Sequence, residues 1–302
     1  MSQPAGFCFG YEIESDLEFE YLRRGPGARL QIEQHDGTWN ARNGELLIDW
    51  EPRPNRPAHV RLHRSGSGYG LWISDAGWYE VQVDEPRIVV PPAASTLRRE
   101  ERLWGMPSLL TFQNRGDLPL HAGAVESGGK AILFGGPTRH GKTTLAASHV
   151  DSGLRLLSED LSCITASWQI VPGPTMIRLR HDMAAALHIE NTRIVGKDEE
   201  RTHLAMFGDM AEDSSTVPLG AVVLLDVGDE LDITRVDPME ALPDLWVLTF
   251  HLPGDEHNRW AFDRITELTT VVPVFRLRRP LRLDAIPATI EMMMSIGSDV
   301  EL

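Results

Sequence analysis

Short segments in which apolar and polar residues alternate dominate the first part of the chain. LEFEYL, ARLQIEQ, GLWISD and WYEVQV each show this alternation, and Gly, Pro and Asn separate them. A period of two is typical of strands that bury one face. The pattern therefore predicts a small β-rich N-terminal domain, which we assign to residues 1–94.

A proline-rich segment follows these alternating runs. VDEPRIVVPPAAS, from Val83 to Ser95, contains two consecutive prolines and is predicted to be a linker. The next segment, STLRREERLWGMPSLLTFQNR, has helical spacing, with Ser95 or Thr96 as the expected N-cap. We assign residues 95–302 to a second domain.

Apolar strand-like runs alternate with amphipathic helices from Leu118 onward. The predicted strands are LPLHAGAVE, KAILFGG, LRLLSED, LSCITA, LGAVVLLDV, LDITRV and PVFRLRR, and the predicted helices are KTTLAASHVDSG, PMEALPDLWVLTFHL, DEHNRWAFDRITELTTVV and part of DAIPATIEMMMSI. Gly128 and Gly129 join the first two strands, and Gly153 closes the first helix. Interleaved strands and helices indicate an α/β fold with a sheet covered by helices.

Charge narrows the classes of partner. The chain has 302 residues, with 29 Lys and Arg against 44 Asp and Glu, for a net charge of −15. Nucleic acids and anionic membranes favour clustered positive charge. Neither is therefore expected as the partner of this protein.

The cysteines and the apolar runs indicate a cytoplasmic protein. Cys8 and Cys163 are far apart in the sequence and cannot by themselves form a zinc site. The first residues lack a basic region followed by an apolar run, which a signal peptide would show. No apolar run approaches the roughly 20 residues that span a bilayer. A reducing cytoplasm is the expected compartment.

A glycine-rich segment between a predicted strand and a predicted helix carries the strongest signal. GPTRHGKT, from Gly136 to Thr143, fits the phosphate-loop pattern G-x-x-x-x-G-K-S/T. In such a loop, backbone amides and the helix N-terminus hold the phosphates, Lys142 reaches the β and γ oxygens, and Thr143 binds Mg²⁺. A glycine turn that fits by chance is the alternative, but both flanks are correct. The predicted nucleotide-binding residues of the loop are Gly136, Pro137, Thr138, Arg139, His140, Gly141, Lys142, Thr143 and Thr144.

Three other residues are predicted to lie near this loop. His121 precedes the loop strand on the run predicted to pair with it, and Glu159 and Asp160 end the strand after the loop helix. Ligands in α/β sheets bind at the carboxyl ends of strands, so the acidic pair is expected to face the phosphates. One carboxylate could accept a proton and the other support a metal. An acidic capping turn and a core histidine are the alternatives.

The segments LHAGAV, GGPTRHGKTT and LLSEDL together resemble the catalytic domain of HPr serine kinase/phosphorylase. They are more similar to the shorter HPr-kinase-like proteins that accompany modified-peptide gene clusters. The resemblance runs from about Leu118 to the end of the chain, and YEIESDLEF also looks like the start of that group's N-terminal domain. It implies an α/β P-loop HPr-kinase-like catalytic domain preceded by the small β-rich domain.

The resemblance also implies a role for each residue of the acidic group. Glu159 is the base that deprotonates a serine hydroxyl, His121 assists the acidic pair, and Asp160 helps to hold Mg²⁺. An unperturbed glutamate has a pKa of about 4.3, and Mg²⁺ and Lys142 would favour its ionised form further. The family's usual pair is Asp-Asp, so Glu159 is one methylene longer.

Two more segments carry arginines that the resemblance assigns to the site. MIRL, from Met176 to Leu179, stands where the bifunctional enzymes have E-I-R-G, so Arg178 is kept and the glutamate is not. This departure predicts weak or absent phosphorylase activity. GKDEERTHL places Lys197 and Arg201 in a predicted mobile loop near the transferring phosphate, with a solvated charge run as the alternative.

The combined interpretation is an ATP-dependent, Mg²⁺-requiring kinase. Its expected partner is a peptide or small protein that offers a serine, and a homo-oligomer is compatible with the sequence. The N-terminal domain is interpreted as either an acceptor-binding or a structural unit. Two alternatives stay open: a degenerate nucleotide-binding module that recruits a peptide without modifying it, and an NTPase whose acceptor is water.

Overall fold

The computed structural model describes residues 4–34, 44–53, 58–92, 95–187 and 189–299. Within these ranges the chain is a mixed α/β protein whose strands form three sheets. Strands come first along the chain, and strands and helices interleave afterwards, as the sequence patterns predict.

The first sheet has eight strands. They are β1 (Pro4–Cys8), β2 (Tyr11–Glu14), β3 (Ala28–Gln34), β4 (Glu45–Trp50), β5 (Val60–Ser65), β6 (Gly68–Ile73), β7 (Gly77–Gln82) and β8 (Arg87–Val90). Their order in space is β1-β2-β3-β8-β7-β6-β5-β4. ARLQIEQ, GLWISD and WYEVQV are confirmed as β3, β6 and β7, because their alternating apolar residues face one buried side.

Two predictions for this region are wrong. LEFEYL is not a strand: its apolar side chains pack inward, but its backbone bonds elsewhere, as when Glu20 N donates to Glu100 Oε1 at 2.6 Å. The predicted linker from Val83 to Ser95 contains β8, which pairs with β3 and β7. Its prolines flank the strand and so remove no ladder bond. Residues 93–94 of that segment lie outside the described ranges.

Two helices connect the first sheet to the rest of the chain. They are α1 (Thr96–Leu103) and α2 (Met106–Asn114). Ser95 is confirmed as the N-cap of α1, because its Oγ accepts a bond from Arg98 N at 3.2 Å. Leu103, Trp104 and Phe112 are buried in the same apolar cluster as the first sheet. The division of the chain at residue 95 stays a prediction.

The remaining strands form two sheets. They are β9 (Leu118–Leu120), β10 (Ala122–Ser127), β11 (Lys130–Gly135), β12 (Arg155–Ser158), β13 (Ser162–Ile164), β14 (Gln169–Val171), β15 (Met176–Arg180), β16 (Thr192–Lys197), β17 (Arg201–Met206), β18 (Val217–Val227), β19 (Asp232–Arg235) and β20 (Val274–Arg279). The larger sheet has the order β12-β10-β11-β18-β14-β13-β9, with β20 also beside β18 and β19 beside β20. The smaller one has the order β15-β17-β16.

Strand direction brings several carboxyl ends to one edge of the larger sheet. β11 is parallel to β18, and β18 is parallel to β20. β10 is antiparallel to both β11 and β12, so β12 runs in the same direction as β11. The residues that follow β11 and β12 therefore emerge at the same edge.

Helices cover both faces of the larger sheet. The helices of this region are α3 (Lys142–Asp151), α4 (His181–Ala186), α5 (Asp209–Glu212), α6 (Pro238–Leu248), α7 (Asp255–Val271) and α8 (Ile286–Asp299), and a 3-10 turn lies at Leu283–Ala285. Of these, α4 packs on β15 and β17 of the smaller sheet. α3 and α8 share an apolar cluster on one face, and α6 and α7 share another cluster. The predicted sheet covered by helices is confirmed. Among the described residues, no helix combines the length and apolar composition that crossing a membrane requires.

A buried arginine joins the N-terminal segment to this region. Arg23, which is 1% exposed, donates Nε to Gly173 O, Nη1 to Ala211 O and Nη2 to Leu156 O, each at 2.7 Å. Leu156 lies in β12. The strand that leads to the acidic pair is thus held by a residue near the start of the chain.

Candidate functional site

The glycine-rich loop lies between β11 and α3, as the sequence predicts. Gly141 has φ +75°, and a Cβ there would lie 2.6 Å from Arg279 Nη2. A Cβ on Gly136 would lie 2.8 Å from Leu225 O. The positive φ therefore favours glycine at position 141, and the backbone oxygen of Leu225 leaves no room for a Cβ at position 136.

Lys142 folds back over this loop from the first turn of α3. It is 7% exposed, and its Nζ donates to Gly136 O at 2.8 Å. Burial lowers the pKa of Lys142, while Asp160 and Glu159 act to raise it. An ammonium has three donors, so this contact holds the charge at the loop while two donors remain for oxygens of a ligand.

The middle of the loop faces outward. Pro137, Thr138 and Arg139 are exposed, and Arg139 has φ +70°. His140 is half-buried, and its carbonyl accepts a bond from Arg279 Nη2 at 3.0 Å. Arg139 is therefore solvated in this structure. Contacts from these residues and from Thr144 to a nucleotide stay a prediction.

The acidic pair follows β12 at the edge of the sheet where the loop lies. Thr143 Oγ1 donates to Glu159 Oε1 at 2.5 Å. Glu159 Oε2 lies 3.4 Å from Arg178 Nε, and its side chain is 4% exposed. Asp160 Oδ2 lies 3.1 Å from Arg178 Nη2, and its side chain is 36% exposed. The pair therefore contacts the loop helix and does not form a detached capping turn.

The two carboxylates differ in acidity. Burial raises the pKa of Glu159, and the charge of Asp160 adds to this, although Arg178 opposes it. Burial therefore outweighs the positive charge of the protein's own side chains around Glu159, and the ionised state predicted for Glu159 beside Mg²⁺ stays a prediction. Burial acts in the same direction on Asp160, but His121, Arg178 and Lys142 together hold its pKa below the ordinary value.

His121 lies beside Asp160. Its Nδ1 is 3.6 Å from Asp160 Oδ1, and its side chain is 52% exposed, so it is not a core histidine. It precedes β10 and does not lie on the paired strand, because the first pair of that ladder joins Ala122 to Gly135. Its backbone N donates instead to Leu248 O at 2.7 Å.

Arg178 and Arg201 surround the acidic pair from the smaller sheet. Arg201 Nη1 donates to Arg178 O at 2.8 Å, and the charge of Arg201 lowers the pKa of both acidic residues. The segment predicted as a mobile loop is the hairpin of β16 and β17, because its strands satisfy their backbone groups in a ladder. Lys197 is exposed at the end of β16.

Sequence reasoning missed Glu101 and Arg279. Glu101 Oε1, in α1, lies 3.7 Å from Arg178 Nη1, so Arg178 is shared among three carboxylates. These carboxylates raise the pKa of Arg178 although burial acts to lower it. Arg279 braces the loop from β20. Neither residue stands near a motif in the sequence, so no local signal pointed to them.

The donor set suits a phosphorylated, Mg²⁺-bearing ligand. Mg²⁺ prefers oxygen ligands and is held in proteins by one or two carboxylates together with phosphate oxygens. Here a hydroxyl, Thr143 Oγ1, and the carboxylate of Glu159 lie together next to Asp160. Lys142 and the N-terminus of α3 supply positive charge to phosphates at the same place.

Comparisons with known proteins add little to this geometry. No protein-family model matches the chain, and no curated protein sequence matches it significantly. One solved structure that resembles it is the Hpr(Ser) kinase/phosphatase from Coxiella burnetii, with 10% sequence identity and a TM-score of 0.30 over 59% of this chain and 93% of that chain. Values this low establish neither a shared fold nor a shared activity.

Proposed function

We propose that the protein is a kinase that uses ATP and Mg²⁺ to phosphorylate a serine hydroxyl of a peptide or small protein. The observation that carries the proposal is the bond from Thr143 to Glu159, which joins the glycine-rich loop to the acidic pair. A phosphate held by the loop would therefore lie beside two carboxylates and a histidine. Phosphoryl transfer needs this combination of phosphate binding and acid-base groups.

The loop and Lys142 bind the nucleotide phosphates in this proposal. Backbone amides of residues 136–141 and of the first turn of α3 donate to the β and γ oxygens. Lys142 adds a full positive charge, which favours the electron-rich oxygens of the transferring group. Arg279 holds the loop backbone in the required shape through the carbonyl of His140.

The contact between Thr143 and Glu159 favours Glu159 as the metal ligand and Asp160 as the base, which reverses the roles that the resemblance implies. Both oxygens of Glu159 are engaged, one by Thr143 and the other by Arg178, and the side chain is nearly inaccessible. Thr143 and Glu159 would hold Mg²⁺, directly or through water. The ion, when bound, neutralises charge on the phosphate oxygens.

Asp160 is the accessible carboxylate and would act as the base. The serine hydroxyl gives its proton to an Asp160 oxygen as the serine oxygen attacks the γ phosphorus, and the bond to the bridging oxygen breaks to release ADP. His121 orients Asp160 and keeps it ionised. Arg201 would offer positive charge to the phosphoryl group during transfer, and Arg178 would hold the two carboxylates in place.

The test is phosphate transfer to a separable acceptor. Serine peptides incubated with ATP and Mg²⁺ should gain one phosphoryl group by mass spectrometry, and Lys142→Ala should abolish the gain and weaken ATP binding in calorimetry. Lys130→Ala, at the opposite end of β11, is the matched control and should retain both. ADP release without any phosphopeptide would favour the NTPase alternative. ATP binding without ADP release would favour a recruitment module.

A further inference from the structure

A cavity of about 280 Å³ lies between the first sheet and the acidic pair. Its apolar walls come from loop or strand positions of the first sheet and from the junction of α1 and α2: Phe9, Trp50, Val60, Ile73, Trp104 and Met106. Its charged lining, the polar end of the cavity, is formed by Glu101, Arg102, Glu159, Asp160 and Arg178, and the charge of Arg102 is paired with Asp75. The cavity thus combines apolar walls with the groups that face the loop.

The aromatic walls are fixed by contacts behind them. Trp104 Nε1 donates to Glu100 Oε2 at 2.9 Å, so its polar atom is satisfied away from the cavity. Phe9 packs on Phe112 with ring centroids 5.1 Å apart. These contacts hold the rings of Trp104 and Phe9 in place, so the cavity beside them stays open.

The dimensions fit a single large side chain. A cavity of about 150 Å³ lined by apolar residues accommodates benzene, and each water occupies about 30 Å³ of liquid. A cavity of about 280 Å³ is therefore large enough for an aromatic or branched apolar group, and it is slightly smaller than the roughly 300 Å³ at which pockets for whole ligands begin. Its apolar walls disfavour filling by water alone.

The charges at the polar end favour a neutral hydroxyl. Arg178 is already shared by Glu101, Glu159 and Asp160, so the polar end has no uncompensated positive charge from that residue. An anionic group at this end would meet carboxylates. A hydroxyl can donate to one of them.

We infer that this cavity binds a large apolar side chain within one or two residues of the acceptor serine, so that the protein selects peptides by an aromatic or branched apolar neighbour. The inference rests on the proposed kinase function, because that function identifies the bound molecule as the acceptor. The first sheet then contributes directly to acceptor choice, since Trp50, Val60 and Ile73 form one wall.

The experiment compares peptides and cavity variants. Serine peptides with Trp, Phe or Leu beside the serine should be phosphorylated with a kcat/KM about 10- to 100-fold above that of the Ala peptide, the range of discrimination that an apolar pocket supplies. Met106→Trp should fill the cavity and remove this preference. Met239→Trp, the same change at an exposed position in α6, is the matched control and should retain it.

Binding gives a second readout that does not need the kinase activity. N-acetyl-phenylalanine amide should bind the wild-type protein in ligand-observed NMR and bind more weakly to Met106→Trp and to Trp50→Ala, but not to Met239→Trp. Circular dichroism of each variant confirms its fold. Equal probe binding by wild type and Met106→Trp, or equal rates for the Ala and Phe peptides, would overturn the inference. Probe binding confined to the cavity with no phosphopeptide formed would sustain an apolar-group site and reject the kinase proposal.

Discussion

The hydroxyl of Thr143 lies 2.5 Å from Glu159 Oε1, although the two residues belong to a helix and to the end of a separate strand. This bond connects the phosphate-binding loop to the acidic pair. It also leaves Asp160 as the carboxylate that an acceptor can approach, because Glu159 is closed off by Thr143 and Arg178. The division of roles can be tested by exchanging each acid for its amide.

Asp160→Asn should lower the rate of peptide phosphorylation roughly 10² to 10⁴-fold, the range for loss of a general base, and additional Mg²⁺ should not restore it. Glu159→Gln should raise the Mg²⁺ concentration needed for half-maximal rate and be partly rescued by excess Mg²⁺. The measurement is the rate across a Mg²⁺ titration for each variant. The opposite pattern would return the base to Glu159 and the metal to Asp160.

His121→Ala should move the acid limb of the pH-rate profile to higher pH. His121 lowers the pKa of Asp160, so its removal raises that pKa, and Asp160 must be ionised to accept a proton. The check is kcat/KM measured across the acidic range. His257→Ala, a histidine in α7, should leave the limb where it is. An unchanged limb in His121→Ala would separate His121 from the function of Asp160.

Arg178→Met should destabilise the protein by about 3 kcal/mol or more, because removing one partner of a buried ion pair leaves carboxylates without compensation. Arg180→Met changes the same residue type two positions along β15, where the side chain is 70% exposed, and should cost less than about 0.5 kcal/mol. Urea denaturation of both variants gives the comparison. Similar losses in the two would show that Arg178 is an ordinary surface charge.

Glu100 predicts a pH dependence of stability. Burial raises its pKa from an ordinary 4.5 to about 7, so the folded state binds more protons than the unfolded state between these values. Stability from this group is present below the unfolded pKa and is lost as pH rises through the folded one, by an amount on the order of 3 kcal/mol. Relative to wild type, Glu100→Gln should therefore become more stable as pH rises through this window. A constant difference in the free energy of unfolding would contradict the shift.

The reverse reaction, in which inorganic phosphate attacks a phosphoserine peptide, should be weak or absent. The motivation is Met176, which stands where the bifunctional enzymes of the resembled family have a glutamate and which is buried in β15. Phosphopeptide and phosphate are incubated together, and pyrophosphate is measured against the forward rate. Comparable rates in both directions would show that this glutamate is dispensable here.

The contiguous parts of the site could be predicted from the sequence. The loop from Gly136 to Thr143 is a local pattern whose flanking strand and helix carry their own periodicity, so its position between β11 and α3 followed. An apolar run precedes Glu159 and Asp160, so the sequence predicted the acidic pair at the carboxyl end of a strand, and it follows β12 in the structure.

Other parts depended on contacts that no local pattern contains. Glu101 reaches Arg178 from a helix far away in the sequence, and the cavity exists only where two sheets meet. The sequence did not predict strand β8 because prolines flank it. Pro86 and the prolines after Val90 lie outside the β8 ladder. The sequence did not predict the hairpin at Lys197 and Arg201 because its exposed face is charged. A run of charged residues favours a loop when only composition is considered.

The three bonds of Arg23 constrain when the site can form. They join residues separated by 133, 150 and 188 positions, and one of them ends in the strand that leads to Glu159 and Asp160. Contacts between such distant residues carry a large loop-closure entropy and form slowly. During synthesis the full set of Arg23 bonds therefore forms only after the segment around Ala211 has left the ribosome, which makes this set of contacts a late event in folding.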